Sequence, residues 1–215
     1  MSAGGSSSHA DASAPAGGVA ALDGLSERLV AAAGAVRVAV AARTGEREEI
    51  YRLRHRQVVG GGWAREDELP AGVERDGHDD HATHIGAWDG DALVGTMRLV
   101  FPASDRRLPV EAAFGVDIEP RGAVVEAGRL VIAPEYRGDP AHRAWGAMFG
   151  RAWLTLRARG FSVLGGAASP RMVERLTGLG LPFEVLGPAR PYWGEERHPV
   201  RLDPSGGAPS WFQSC

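Results

Sequence analysis

Glu126 and Arg129 stand three apart in an otherwise apolar run, Val124-Val125-Glu126-Ala127-Gly128-Arg129-Leu130-Val131-Ile132-Ala133. Desolvation pushes a carboxylate in such a run toward its neutral form, which suits it to accept a proton near pH 7. The competing reading is structural: Glu126 pairs with Arg129 or with Arg98, because arginines in apolar strands are costly to bury alone. Asp76 and Asp79, also three apart, can bind an amine or pair with those arginines; the alternative is a solvated acidic loop. Beyond Pro134, Arg137 and Gly138 lead into a long helical pattern. The outward amides and dipole of a helix N-terminus favour a phosphate or pyrophosphate there. Together these residues suit a proton acceptor beside a phosphate-bearing donor.

Those groups need elements to hold them. Val36–Ala42 alternates with period two and reads as a strand. A charged helix follows over Glu46–Val59, with Thr44 as its expected N-cap. Gly60-Gly61-Gly62 ends it and Trp63 follows, either as a lid over a ligand or as part of a satellite core. The polar stretch from Trp63 to His81 is a long loop, a length usually tied to function or motion. Thr83–Trp88 and Ala92–Phe101 are strands joined by the hairpin signal Asp89-Gly90-Asp91. Residues 102–121 read as irregular, with three prolines. Val124–Ala133 is a strand, Ala141–Arg159 a helix, and Phe161–Leu164 a short buried strand. Ser169-Pro170 opens another helix. Phe183–Leu186 and Glu196–Leu202 are the last strands. The result is a mixed α/β layer fold with a central antiparallel hairpin and one β-α-β crossover. Residues 1–22 read as a disordered or loosely attached tail, 23–203 as the domain and 204–215 as a second tail.

Composition excludes several classes. The chain has 215 residues, is 44% hydrophobic and carries a formal net charge of −3, so no basic field points to nucleic acid or an anionic membrane surface. No apolar run reaches the roughly 20 residues of a membrane span, and with no basic stretch followed by an apolar one near the start, no secretory signal is expected. A cytoplasmic protein is expected. The one cysteine, Cys215, permits no internal disulfide, and a terminal tail gives it no fixed base for nucleophilic work. His78, Asp79, Asp80, His81 and His84 have the composition of a metal site, but nothing sets a geometry, and no metal is expected.

The element order is similar to that of the GNAT acyltransferases, and the residues narrow the likeness. Trp63, then Glu74-Arg75-Asp76-Gly77-His78-Asp79, then Val94-Gly95-Thr96-Met97-Arg98-Leu99, then Glu126-Ala127-Gly128-Arg129 resemble the branch holding the autoinducer (acyl-homoserine-lactone) synthases, N-acyl amino acid synthases and ornithine N-acyltransferases. Those share a tryptophan after the first helix, an E-x-D-x-x-D loop, a V-G-x-x-R-L strand and an E-x-x-R strand. The likeness covers about residues 36–165. His78 stands where autoinducer synthases carry an aromatic residue and Gly128 where they carry serine, which turns the resemblance toward the amino-acid and ornithine acyltransferases.

The resemblance implies a GNAT-like, mostly antiparallel central sheet flanked by helices. It also implies acyl transfer from a phosphopantetheine thioester, on an acyl carrier protein or coenzyme A, to a small-molecule amine, with no permanently bound cofactor. Glu126 and Arg129 become the expected catalytic pair, and Trp63, Asp76, Asp79 and Arg98 the acceptor site. For the acyl donor, backbone amides of Val131, Ile132 and Ala133 would meet the thioester carbonyl where the strand splays. Arg137 and Gly138 would take the pantetheine phosphate. The stripe Trp145, Met148, Phe149, Trp153 and Leu156 reads first as core, with Trp145 as a donor-site wall. Tyr192-Trp193-Gly194 and Arg197-His198 could close the acceptor side, although aromatics beside a turn are more often plain surface. Two alternatives stay open: a homoserine-lactone synthase that uses S-adenosylmethionine, and a non-catalytic module that binds acyl thioesters.

Overall fold

The computed structural model describes residues 14–136, 138–178 and 180–206. In chain order the elements are α1 (Ala14–Ala31), β1 (Val36–Val40), α2 (Thr44–Gly60), β2 (Thr83–Asp89), β3 (Ala92–Val100), α3 (Pro109–Phe114), β4 (Val124–Ile132), α4 (Gly138–Arg157), β5 (Val163–Ala168), α5 (Pro170–Gly178), β6 (Phe183–Val185), β7 (Arg190–Tyr192) and β8 (Glu195–Leu202). The sheet runs β1-β2-β3-β4-β5-β8-β6, with β7 on the early part of β8. Every pair is antiparallel except β4–β5, which α4 connects as a crossover. The mixed, mostly antiparallel sheet flanked by helices is as expected.

The hairpin β2–β3 turns at Gly90, whose φ of 58° lies in the left-handed region that glycine adopts without penalty. One face of the sheet carries α1 and α4: Met148, Trp153 and Leu156 meet Met97, Leu99 and Val125. On α1, Leu22 is buried in this core and Asp23 accepts a 2.6 Å hydrogen bond from Trp153 Nε1. The helix therefore begins well before the expected boundary at residue 22; residues 1–13 lie outside the described residues. The other face carries α2, where Leu53 packs on Val131 and Ala133, and α3, where Val110 and Phe114 pack on Val124 and Ile118.

Two irregularities in β4 matter for the site. It pairs with β5 only over Val124–Glu126 against Val163–Gly165. Beyond that point the two strands separate. Just past the last paired residues a Cβ on Gly166 would stand 2.7 Å from the Ala127 carbonyl oxygen, so glycine is required there. The second irregularity is a shift of register against β3 between Thr96 and Arg98, where β4 carries an extra residue, and there Arg129 takes φ 53°.

Three local expectations change. Thr44 is the first residue of α2 and not its cap; Glu46 instead accepts the amides of Ala42 and Arg43 at 3.0 and 3.2 Å. The stretch 102–121 contains α3, opened by Pro109. A short strand, β7, precedes the final one.

Candidate functional site

Strict alternation would place Glu126 and Arg129 on opposite faces of β4, because residues three apart differ by an odd number. The bulge adds the missing half period. Both side chains then face one small cavity, shared with Trp63, Tyr192, Trp193 and Arg197. Its volume is about 40 Å³, room for roughly three waters or one small charged head group.

Glu126 is 3% exposed. Oε2 accepts the amide of Val110, in the first turn of α3, at 2.8 Å, and no ion pair to Glu126 forms among the described residues. Burial raises its pKa to about 7; the Val110 hydrogen bond and the charges of Arg98 and Arg129 pull the other way without prevailing. The carboxylate is thus held in place, dry and near half ionisation at neutral pH.

The arginines pair elsewhere. Arg54 on α2, 1% exposed, donates to Asp79 at 2.7 and 3.0 Å and from Nε to Glu74. Arg98 on β3 donates through Nη1 to Asp76 at 2.7 Å and lies 3.1 Å from Asp79. Arg129 reaches Asp76 at 2.8 Å and Glu74 at 3.4 Å. Three cations and three carboxylates thus form one connected network that ties the 63–81 loop to α2, β3 and β4, with Nε and Nη2 of Arg98 buried and without a hydrogen-bond partner among the described residues. A buried charge left alone costs several kcal/mol, so each member holds the others. The charged forms are reinforced accordingly. Burial works to raise Asp79 and Asp76, yet hydrogen bonds from Arg54 and Arg98 hold both below the usual carboxylate range. Arg129 is the exception: burial and the neighbouring Arg98 lower its pKa. His84, behind the network, is kept neutral chiefly by burial and meets the Asp79 carbonyl oxygen and the Tyr51 hydroxyl, each at 3.3 Å.

Two tryptophans line the cavity from different elements. Trp193, at the β7–β8 turn, lies 3.5 Å from the Arg129 guanidinium, a cation–π stack between two residues that both hold positive φ. Trp63 lies flat on Gly194, where a Cβ would stand 2.0 Å from its ring. Trp63, Asp76, Asp79, Arg98, Glu126 and Arg129 thus gather around one site. Asp76, Asp79 and Arg98 reach it through the ion network.

The donor residues fare differently. Past Glu126, the separated strands bound a cleft of about 470 Å³, whose walls include Leu130, Ile132, Trp145, Phe149, Met172 and Phe183. Trp145 lies here, stacked on Phe149 with centroids 6.0 Å apart, whereas Met148, Trp153 and Leu156 are core. Of the three amides expected to meet a carbonyl, that of Ala133 is engaged by the Val94 oxygen at 2.9 Å, which corrects that expectation. Amides alternate along a strand, so Val131 shares its direction and the Ile132 amide faces the β5 side. Gly138 opens α4 with φ 71°. Arg137 lies outside the described residues.

Sequence reasoning missed Arg54, Glu74 as a network member, and the α3 amide. Arg54 had a readable signal: Ile50, Arg54 and Val58 form an i, i+4 row, so a charge stands inside the apolar stripe. Tyr192, Trp193 and Arg197 do line the cavity, while His198 turns away to the Gly187 carbonyl oxygen at 2.9 Å.

A family model described as acetyltransferase (GNAT) domain matches residues 47–145. No curated protein matches the chain in sequence. Among solved structures, the N-acyl amino acid synthase FeeM from uncultured soil microbes is similar with TM-score 0.63 and 15% identity, over 84% of this chain and 98% of that one. MesI, a CoA-dependent acyl-homoserine lactone synthase, is similar with TM-score 0.63 and 23% identity over 83% and 94%. TofI, solved in a ternary complex with an inhibitor and MTA, is similar with TM-score 0.61 and 22% identity over 79% and 91%. The chain thus has the fold of these synthases, and its residues 47–145 match the acetyltransferase (GNAT) domain. No helix among the described residues is long and apolar enough to cross a membrane.

Proposed function

We propose that this protein is an N-acyltransferase that moves an acyl group from a thioester of an acyl carrier protein or coenzyme A to the amine of an amino acid or related small metabolite. The observation that carries this reading is Glu126: a buried carboxylate without a salt-bridge partner among the described residues, fixed by one backbone amide, at the point where β4 and β5 part. An amine arrives at neutral pH as an ammonium ion and must lose a proton before it can attack. Glu126, with a pKa of about 7, takes that proton. The nitrogen then bonds to the thioester carbon and the C–S bond breaks. The second proton lost by nitrogen balances the one that completes the departing thiol. The Ile132 amide, turned into the cleft, stabilises the developing oxyanion. Trp145 and Phe149 flank the acyl chain, and Arg137, Gly138 and the start of α4 take the pantetheine phosphate. Arg129, stacked under Trp193, keeps the acceptor side closed and positive.

Acyl-carrier-protein and acyl-CoA thioesters are incubated with pooled amino acids, and intact mass and thiol release are followed. Amine-dependent loss of the acyl group that disappears in Glu126→Gln is the expected result. Methylthioadenosine released from S-adenosylmethionine would instead identify a homoserine-lactone synthase. Donor binding unchanged by Glu126→Gln, with no thiol release for any amine, would identify a binding module.

A further inference from the structure

Arg54, Arg129 and Arg197 line the cavity beside Glu126. Two of them are engaged: Arg54 by Glu74 and Asp79, Arg129 by Glu74 and Asp76. Arg197, from β8, is outside that network. Its one ion pair among the described residues is with Glu195, two residues away on the same strand, at 3.6 Å, and that carboxylate is 46% exposed. The Arg197 side chain is only 24% exposed, and its Nε is buried without a hydrogen-bond partner among the described residues. A guanidinium has five donors in a planar fork, and leaving a buried one unmatched is costly. Arg197 also lines the apolar cleft, so it stands where the small cavity and the cleft meet. The cavity thus presents an uncommitted cation and an uncommitted carboxylate, Arg197 and Glu126, that do not pair with each other.

We propose that Arg197 binds the carboxylate of the acceptor, which makes the acceptor a free amino acid rather than an amine without an acid group. This rests on the transferase reading above. A zwitterion spans the two groups in one orientation only. Its carboxylate accepts the Arg197 fork, as guanidinium–carboxylate pairs do in bidentate fashion. Its ammonium then faces Glu126 and the mouth of the cleft, where the thioester carbon arrives. Arg197 is a substrate-binding residue here, and it takes no proton.

The test compares the best amino-acid acceptor with its carboxamide, in which the charge is removed and the shape is kept. Wild-type protein should prefer the acid by about 10- to 100-fold in kcat/KM, the loss expected for one charge-assisted hydrogen-bonded contact. In Arg197→Gln the KM for the acid should rise until acid and amide are used alike, and Arg197→Lys should recover part of the preference. Equal use of acid and amide by the wild type, a comparison that needs no variant, would overturn the proposal while leaving amine-dependent thiol release intact. A fall in kcat for both acceptors without a change in their ratio would overturn it as well. No thiol release with any amine would remove the transferase reading itself, and this inference with it.

Discussion

On its α2 side, β4 borders three arginines and three carboxylates linked by hydrogen bonds; at its β5 edge it faces an apolar cleft walled by Trp145, Phe149, Met172 and Phe183. The first region is desolvated at high cost and recovers that cost only when every partner is present. The second is bounded by van der Waals surface, where removing a methylene changes little beyond its own contacts. The same strand therefore borders a rigid, all-or-none wall and a wall whose shape can be adjusted by degrees. The first would hold the frame around the acceptor groups, and the second would set acyl size.

The largest expected effect falls on Glu126, which belongs to neither wall. Glu126→Gln should lower kcat by about 10²- to 10⁴-fold, the usual worth of a positioned general base, while the protein remains folded; stopped-flow or thiol-release assays with a far-ultraviolet dichroism control check this. Next is the rigid wall. Arg54→Met should destabilise the fold by about 3–5 kcal/mol, because Glu74 and Asp79 lose their shared partner. Urea unfolding reads this directly, and a loss under about 1 kcal/mol would mean that Glu74 and Asp79 do not depend on Arg54.

The pH dependence separates the two kinds of carboxylate. Glu126 rises from 4.5 in its ordinary state to about 7 when folded, so its contribution is greatest below about pH 4.5 and is lost as pH climbs through 7, by about 3 kcal/mol in all. Glu126→Gln should abolish that decline. Asp76 and Asp79 are held below their ordinary value, so their contribution is present above about pH 4 and disappears as pH falls further. Denaturation midpoints at pH 3, 5 and 8 should therefore peak near pH 5 in the wild type. The smallest effect belongs to the apolar wall. Met172→Ala should shift the preferred acyl chain by one or two methylenes, at about 0.8 kcal/mol for each, in kcat/KM across a chain-length series. An abrupt loss of all activity there would dissolve the contrast between the two walls.

Much of the scaffold was legible because it rests on strong local signals. The β2–β3 hairpin announces itself by alternation about Asp89-Gly90-Asp91, and α4 by its apolar stripe. What escaped has physical reasons. The helix α3 is only six residues long and lies among prolines, too short for any periodicity to register. In β7, three residues including Pro191, pairing with β8 decides the structure and propensity does not. Arg54 stands in the apolar row of α2, but its partners are set only when the loop carrying Glu74 and Asp79 is folded back on it. The ion pair weighed as the structural reading of Glu126 does not form among the described residues: Arg98 and Arg129 pair with Asp76 and Asp79, which the sequence offered as their partners, and with Glu74, which it did not. Spacing along the chain does not say which of several acids a long side chain will reach.

The extra residue at the β4 bulge acts as a phase shifter. On a chain of period two it lets a motif spaced by three present both its ends to one chamber, so the Glu126–Arg129 spacing and the register slip against β3 work as a single structural unit. Deleting Leu130 would keep every charged group in the sequence and still turn one of the two ends out of the chamber. In any comparison of related chains, a one-residue gap at this point is therefore a change of architecture, and substitutions on either side of it compare like with like only when the gap is absent.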